Sequence, residues 1–406
     1  MQYDIFFSIS QTPVRGELPS EEVMWRNFFE QVRAADRLRF GTAWVACSHL
    51  STEVQKRHPN RVVPHWQGEI GLNNDIFQLA HKVFAQTERI AVGSAIMNLL
   101  SNGGPVARAE QVATFASIHG LDRSEKRPLR FGFAAGRFDF MSRAYGIVPR
   151  DALEEAAWPV LKGKVFAEAV EIFLRLLNGE AMSGSDTAPT TLSRPDFRTD
   201  EDWAKVRALA STSADTIEVP RRYAFDVLKI VPQEWRRDLV DLFVGSHEPA
   251  LQVRANTFRP VKVFNLSITK PEVIDQTHAR MREHFHKDGG PWKREYMPRT
   301  VMVFVNEEAG ISVEEKRRRA RAEADEALAQ YWNALEGTID PKKVSGAADN
   351  ALIGTASDVA AQIRERFHPD DRLMLWFDFF NHDSARVVRN MEAFSELVIP
   401  AIGDPS

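Results

Sequence analysis

The sequence predicts one α/β domain with a (β/α)8 TIM-barrel fold that carries insertions. Eight short runs of apolar and β-forming residues recur along the chain, and most end in small or polar residues. Helix-like segments alternate with these runs, an order that favours parallel strands joined by right-handed crossovers. The length of the chain is consistent with this fold, because one barrel with insertions can reach 406 residues. The eight predicted strands begin at Tyr3, Thr42, Ile90, Leu129, Leu239, Val261, Thr300 and Leu373.

An open, doubly wound sheet is the structural alternative. Such sheets usually have fewer strands, and a Gly-rich phosphate-binding turn follows the first strand. Here the first strand is followed by SISQTP, and no G-x-G-x-x-G motif opens a helix. The barrel is therefore the better prediction.

In the first half of the chain, strand and helix signals alternate regularly. The apolar run Tyr3–Ile9 leads into turn residues, as a buried strand does. Ser20 can cap the first helix, and Gly41 is placed to end it. The predicted elements after the first strand are helix Glu21–Arg39, strand Thr42–Ala46, helix Asp75–Glu88, strand Ile90–Met97, helix Val106–Ile118 and strand Leu129–Ala134.

The second half continues the pattern. Pro159 and Gly163 interrupt a long helix, and Ser312 with Glu315 forms a capping-box pattern at the start of another. Arg222–Val231 could form an extra strand. The remaining predicted elements are helix Ala152–Leu177, strand Leu239–Val244, helix Glu248–Ala255, strand Val261–Leu266, helix Pro271–His286, strand Thr300–Val305, the helix from Ser312 to about Leu335, helix Ser357–Arg366, strand Leu373–Phe377 and helix Ser384–Leu397.

Three polar stretches are predicted insertions in this single domain, at about 51–71, 178–220 and 336–351. Asn178–Thr216 is rich in Ser, Thr, Pro and Asp, which is typical of a connecting segment. We expect Ser51–Gly71, Asn178–Thr216 and Arg282–Met297 to be candidate lids over the barrel mouth.

Composition excludes several classes of function. The net charge of −4 gives no indication of nucleic acid or an anionic membrane as partner. The single cysteine, Cys47, rules out internal disulfides and fits a reducing compartment. The N-terminus is too short and too polar after Ser8 for a signal peptide, and no apolar run approaches the roughly 20 residues that span a bilayer. His58 and His65 lack metal-ligand spacing. We expect a cytoplasmic protein without a metal site.

Several pieces of sequence, in a characteristic order, resemble one known family. They are FGTAWVACSHL at the second strand, ERIAVGSAI with PVARAEQVATFASI at the third, RFGFAAGRFD at the fourth, FVGSHEPALQVRA at the fifth, LIGTASDVAAQI, and WFDFF with VVRNMEAFSELVIPAI near the end. Together they resemble the bacterial luciferase-like, flavin-dependent monooxygenases over nearly the whole chain. The resemblance implies a two-component reaction, in which FMNH2 from a separate flavin reductase reacts with O2 to a C4a-hydroperoxide that oxygenates a small organic substrate. It also implies a homodimer through helices Asp75–Thr87 and Val106–Ile118.

Two residues are candidates for acid–base chemistry. His49 lies in the triplet Cys47-Ser48-His49 at the end of the second strand, where the family usually has two adjacent histidines after an acidic residue. Only the second histidine position is kept, and a role in loop hydrogen bonding is the alternative. Asp378, between aromatic residues near the end of the last strand, is a possible acid or base.

The cofactor contacts follow from the resemblance. The family often has a non-proline cis peptide bond against the flavin ring, which here would be Ala95–Ile96, and Ser94 and Asn98 flank it. The family places a phosphate-binding arginine where this chain has Ala135. Substitutes for it would be Arg137, Lys164 and the segment Gly245-Ser246-His247, since backbone amides and a hydroxyl at a helix start bind phosphate well. Solvated surface charges are the alternative for Arg137 and Lys164.

Two other functions remain open at this point. A deazaflavin-dependent hydride-transfer oxidoreductase would share the barrel, and a non-catalytic flavin-binding protein would retain the cofactor site without chemistry. The chain has no NAD-binding fingerprint, which favours an external reductase. Aldehydes, sulfonates, amines and polyketide-like compounds all remain possible substrates.

Overall fold

The structure is a computed structural model that describes residues 1–47, 67–136, 139–265, 269–335 and 349–403. All eight predicted barrel strands are present, within a few residues of their predicted bounds. Two further short strands form a separate antiparallel sheet, and one more strand flanks the barrel. In chain order the strands are Gln2–Phe7 (β1), Thr42–Val45 (β2), Ala91–Asn98 (β3), Leu129–Ala134 (β4), Thr190–Ser193 (β5), Thr216–Val219 (β6), Val240–Val244 (β7), Lys262–Val263 (β8), Arg299–Val305 (β9), Leu352–Gly354 (β10) and Arg372–Trp376 (β11).

The main sheet has the strand order β10-β9-β11-β1-β2-β3-β4-β7-β8, and its strand pairs are parallel. A parallel bridge between Asn265, just after β8, and Arg299, at the start of β9, connects the two ends of the eight-strand series. The (β/α)8 fold class predicted from the sequence is therefore confirmed.

Helices cover the outside of the sheet, and side chains at their first residues cap several of them. Ser20, Asp75 and Asp151 each accept a hydrogen bond from a backbone amide in the first helical turn. The helices are Glu21–Arg37 (α1), Ile76–Phe84 (α2), Gly104–His119 (α3), Asp139–Arg143 (α4), Ala152–Leu177 (α5), Asp200–Leu209 (α6), Pro249–Ala255 (α7), Pro271–His284 (α8), Val313–Leu335 (α9), Ala356–Arg366 (α10), Ser384–Ala393 (α11) and Ile399–Gly403 (α12).

Charged side chains form the lower layer of the barrel interior. Asp4 on β1 is fully buried and accepts hydrogen bonds from Arg372 on β11 at 2.8 Å, from Arg130 on β4 at 3.4 Å and from the indole Nε1 of Trp44 at 2.8 Å. Because β1 and β4 are not neighbours in the sheet, the contact between Asp4 and Arg130 must cross the interior. We call these four side chains the barrel floor.

Aromatic side chains fill the layer above the barrel floor. Phe6, Phe243 and Phe264 pack around the indole of Trp44 and against Met374. This layer separates the barrel floor from the carboxyl ends of the strands, so a site at those ends lies above a dry aromatic core.

Two parts of the sequence prediction need correction. Arg222–Val231 does not form a strand in the barrel, and only Leu228 makes an isolated antiparallel bridge, with Met182. The short strand β10 was not predicted, and it pairs with the carboxyl-terminal half of β9. Asn178–Thr216, predicted as an insertion rather than a core element, contains β5, α6 and the start of β6, and β5 and β6 lie outside the main sheet.

Close contact between β3 and β4 makes Gly132 intolerant of a side chain. The hydroxyl of Ser94 donates to Gly132 O and accepts from Gly132 N, at 2.8 and 2.9 Å. A methyl group added to Gly132 would lie 2.3 Å from the backbone oxygen of Ser94. We expect Gly132→Ala to lower the free energy of unfolding by about 1–3 kcal/mol, measured by urea denaturation.

Gly163, in the middle of α5, provides a matched control for that substitution. A methyl group there would meet no atom within 4 Å. Gly163→Ala is therefore expected to raise the free energy of unfolding by about 0.4–1 kcal/mol, by restricting the unfolded chain. Equal effects of the two substitutions would contradict the close β3–β4 contact.

Candidate active site

Small residues line one half of the barrel mouth, at the carboxyl ends of four consecutive strands. Ala46 follows β2, Ala95 lies near the end of β3, Ala134 ends β4 and Gly245 follows β7; all four are partly exposed. The residues that precede them on the same strands are buried. We call these four residues the small-residue shelf. It leaves room for a flat group to approach the strand backbones.

The Ala95–Ile96 segment shapes the centre of the small-residue shelf. The peptide bond between Ala95 and Ile96 is cis, as the sequence resemblance implied. The side chain of Ile96 lies over Gly245, where an added methyl group would come 2.2 Å from Ile96 Cδ1. Glycine at 245 therefore allows the β3 and β7 ends to meet.

A cavity of about 180 Å³ lies at the other half of the mouth, beside the ends of β1 and β11. Its wall combines aromatic and aliphatic side chains with neutral polar groups and one carboxyl. The residues that line it are Phe6, Ser8, Ile9, Ser10, Thr12, Met24, Asn27, Phe28, Gln31, Ala46, Ile70, Tyr331, Trp376, Asp378, Phe380, Asn381 and His382. Because Ala46 belongs to both features, the cavity and the small-residue shelf adjoin.

Asp378 is the acidic group of this cavity. Its Oδ2 accepts two long hydrogen bonds from Ser8, from the backbone N–H and from the hydroxyl, each at 3.4 Å. Its Oδ1 has no hydrogen-bond partner among the described residues. Burial raises the pKa of Asp378 to about 7, and the polar groups of Ser8 and the indole of Trp376 offset only part of that rise. A carboxyl in this state can hold or release a proton near neutral pH.

His382 lies on the same wall of the cavity, but its imidazole is hydrogen-bonded to the surrounding chain. Its Nε2 lies 3.1 Å from the hydroxyl of Thr12 and 2.8 Å from the backbone oxygen of Thr12. Burial lowers the pKa of His382, although the contact with Thr12 O opposes that effect. The imidazole is therefore neutral at physiological pH and ties the loop after β11 to the loop after β1.

The remaining site residues predicted from the sequence have different surroundings in the structure. His49 and Arg137 lie outside the described residues. The hydroxyl of Ser94 is held by Gly132, as described above. Asn98 is buried and donates to Ser142 Oγ at 3.2 Å while it accepts from Leu100 N at 2.9 Å, so its side chain holds the turn after β3.

The residues predicted to bind the flavin phosphate also have different surroundings. Lys164 forms an ion pair with Asp196 at 2.9 Å, which directs its charge to the insertion. Ser246 follows the shelf residue Gly245, and its hydroxyl accepts from Glu248 N at 3.2 Å. His247 is exposed. The helix of this segment begins only at Pro249, so Ser246 lies before the first helical turn.

Lys162 is a site residue that the sequence reasoning missed. Its Nζ lies 3.4 Å from the carbonyl oxygen of Gly136, directly after β4. Because successive helical residues are about 100° apart, Lys162 and Lys164 project from opposite sides of α5. No local signal in the sequence distinguishes Lys162 from Lys164, because the rotation of α5 is set by its packing.

A buried cation lies behind the ends of β2 and β3. Arg108 on α3 is 2% exposed, and its Nη1 donates to Gln111 at 2.7 Å, whereas its Nε and Nη2 have no hydrogen-bond partner among the described residues. Burial raises the pKa of the neighbouring Cys47 thiol to about 12, although Arg108 opposes that rise. Cys47 is therefore a neutral thiol here and not a nucleophile.

No helix among the described residues combines the length and apolar character of a membrane-crossing segment. In the same part of the chain, no three His, Cys, Asp or Glu side chains are grouped so that they could hold a metal ion.

A comparison with protein families gives one clear match. The sequence model of the family described as luciferase-like monooxygenase matches residues 1–369. No curated protein sequence matches the chain.

Solved structures with the same fold match along nearly the whole chain. Monooxygenase RslO1 from Streptomyces bottropensis is 18% identical, with a TM-score of 0.65 over 98% of this chain and 99% of that one. The oxygenating constituent of 3,6-diketocamphane monooxygenase from Pseudomonas putida, solved in complex with FMN, is 13% identical, with a TM-score of 0.59 over 98% of each chain. An F420-dependent secondary alcohol dehydrogenase is 15% identical, with a TM-score of 0.56 over 99% of each chain. These identities are low, so the likeness shows the fold.

Proposed function

The chain belongs to the luciferase-like monooxygenase family, and from that premise we propose that it is a reduced-flavin-dependent monooxygenase acting on a small organic substrate. Reduced FMN from a separate flavin reductase would be the cofactor. When bound, a reduced flavin supplies the electrons that activate dioxygen. The chain itself would position the flavin and the substrate, exclude water and supply a proton.

The observation that carries this proposal is the division of the barrel mouth into two unlike halves. The small-residue shelf presents small, partly exposed residues to a planar ring, and Ile96 packs over Gly245 on its β7 side. The adjoining cavity holds, among aromatic side chains, a carboxyl with one oxygen that has no hydrogen-bond partner among the described residues. A flat cofactor on the shelf would thus have a substrate pocket and a proton-holding group, Asp378, at its edge. The aromatic wall would keep water from the reacting atoms.

Lys162 and Ser246 are the described residues that we propose for the phosphate end of the flavin. Lys162, on α5, contacts the segment that follows β4, and Ser246 lies in the segment that follows β7. These two strands are neighbours in the sheet. Lys162 is next to Gly136, and Ser246 directly follows Gly245. The family arginine is absent at Ala135, so a lysine from α5 would supply the positive charge.

Lys162→Ala is expected to weaken the binding of reduced FMN about tenfold, because one charge-assisted phosphate contact is lost. Reduced riboflavin, which lacks the phosphate, should bind the variant and the parent protein equally well. Anaerobic titration followed by flavin fluorescence or calorimetry measures both affinities.

Lys164→Ala is the matched control, because that lysine extends from the same helix to Asp196 of the insertion and not to the segment after β4. We expect its affinity for reduced FMN to change less than twofold. A tenfold loss from Lys164→Ala with no loss from Lys162→Ala would assign the phosphate to Lys164 instead.

The function itself is tested by mixing the protein with photoreduced FMN and oxygenated buffer in a stopped-flow instrument. The protein is expected to slow the release of hydrogen peroxide compared with free reduced FMN, and a substrate should accept one oxygen atom from ¹⁸O2. Failure to bind reduced FMN would contradict the proposal. Tighter binding of the deazaflavin coenzyme F420, together with hydride transfer to or from it, would favour the hydride-transfer oxidoreductase.

We also propose a homodimer that buries α2 and α3, in a cytoplasmic protein. At the carboxyl end of α3, Ile118 is 53% exposed and Leu121 is 77% exposed, which leaves apolar surface beside these helices. Light scattering is expected to give twice the chain mass of 46.0 kDa. A monomer at micromolar concentration would contradict the dimer.

A further inference from the structure

The cavity beside Asp378 has a size and lining that restrict what it can hold. Its volume of about 180 Å³ is close to that of an engineered cavity of about 150 Å³ that binds benzene. Phe6 and Trp376 meet edge to face at 4.7 Å in its wall, and Phe28 and Phe380 also line it. One six-membered ring with a small substituent fits such a space, and aromatic walls favour an aromatic ring.

The charged groups among the described residues that line the cavity disfavour anions. Among the described residues that line it, Asp378 is the acidic residue, and there is no lysine or arginine. His382 does not supply a positive charge readily, since burial lowers its pKa and the hydrogen bond to Thr12 O opposes only part of that effect. An anionic substituent would therefore be desolvated without a partner and placed beside a carboxyl, which is costly.

The carboxyl of Asp378 also has unused hydrogen-bonding capacity. Ser8 contacts only Oδ2, and both contacts are long, at 3.4 Å. Oδ1 has no hydrogen-bond partner in the part of the chain that the structure describes, although buried polar atoms in folded proteins nearly always have one. A ligand that donates a hydrogen bond would complete the site.

An outer cavity adjoins the inner one. It has a volume of about 910 Å³ and shares Phe380, Asn381 and His382 with the inner cavity. Arg15 and Glu326 line it and form an ion pair at 2.8 Å. The inner cavity thus lies next to a larger cavity on the side of α9.

We propose that the cavity is the substrate pocket for a compact aromatic compound that carries no negative charge and donates a hydroxyl hydrogen bond to Asp378. The assignment of the bound compound as a substrate rests on the proposed monooxygenase function, whereas the binding preference of the cavity does not. Of the substrate classes that remain open, sulfonates are excluded by this assignment, and a phenol-like ring is favoured over an open-chain aldehyde.

The test uses the flavin-free protein and three probes, phenol, toluene and benzoate, with affinities measured by calorimetry. Phenol is expected to bind at least about tenfold more tightly than toluene, which lacks the hydroxyl, and at least about tenfold more tightly than benzoate. In Asp378→Asn the preference for phenol over benzoate should fall at least about tenfold. Asp370→Asn, which changes an exposed aspartate, should leave all three affinities unchanged.

Three results would overturn the assignment: benzoate binding as tightly as phenol, an Asp378→Asn variant with an unchanged preference, or no binding of any probe. Because no flavin is present in this binding test, its outcome does not depend on the proposed function. Phenol binding as described with no oxygen transfer from reduced FMN would leave the pocket assignment in place and refute the monooxygenase. Oxygen transfer from reduced FMN without the preference for phenol would support the monooxygenase and refute the pocket assignment.

Discussion

Replacing Asp4 with asparagine is expected to lower the free energy of unfolding by about 3–5 kcal/mol. Asp4 is fully buried, and it is the carboxylate that faces both Arg130 and Arg372 in the barrel floor. Asparagine has the same size and can still accept the hydrogen bond from the indole of Trp44. The loss therefore reports the removal of a negative charge from between two buried guanidinium groups. Urea denaturation followed by circular dichroism measures it.

Glu326→Gln makes the same chemical change at an exposed ion pair and serves as the control. Arg15 and Glu326 have side chains that are 77% and 40% exposed. Exposed pairs of this kind contribute about 0–1 kcal/mol, because water and salt screen them. Equally small losses from both substitutions would show that the barrel floor tolerates an uncompensated charge, contrary to this account.

The second large effect expected is a pH-dependent gain of stability in Asp378→Asn. The pKa of Asp378 is raised to about 7 in the folded chain by burial, against an ordinary value of 3.8. Between these values the folded protein holds a proton that the unfolded chain has released. Stability from this group is thus fully present below about pH 4 and is lost as the pH rises through about 7, by up to about 4 kcal/mol in total.

Asparagine cannot ionise, so Asp378→Asn should escape that loss. We expect the free energy of unfolding of the variant to exceed that of the parent protein at pH 8 by up to about 4 kcal/mol, relative to their difference at pH 4. Denaturation in urea at pH 4, 6 and 8 measures this difference. Asp370→Asn, at an exposed position, should show no such trend. A difference between Asp378→Asn and the parent that is constant with pH would mean that the carboxyl is already ionised at neutral pH.

Such a carboxyl also bears on the proposed reaction. With a pKa of about 7, Asp378 would be about half protonated at neutral pH, and it could give a proton to a substrate oxygen or take one from a hydroxyl. If the proposed function holds, oxygen transfer should depend on a group that titrates near pH 7, and Asp378→Asn should remove that dependence.

The sequence by itself determined the barrel and its strands, because those depend on local patterns. Short apolar runs alternating with helical periodicity specify parallel strands with crossovers, and the eight strands appear in the structure where the runs occur. The segment Gly93–Ile96, singled out from the resemblance, contains the cis bond between Ala95 and Ile96. Asp378, between aromatic residues, was identified as a possible acid or base, and its environment follows from burial.

Only the tertiary structure decided which distant residues meet. Asp4 and Arg130 are 126 positions apart and touch across the interior, and no local pattern marks a charge in an otherwise apolar strand as one half of a pair. Lys162 rather than Lys164 approaches β4, because the rotation of α5 is set by its packing. The small-residue shelf and the cavity beside Asp378 likewise exist only once the strand ends of a closed ring are side by side. Strand identity is a property of neighbouring residues in the chain, whereas a site depends on contacts between strands that are far apart in sequence.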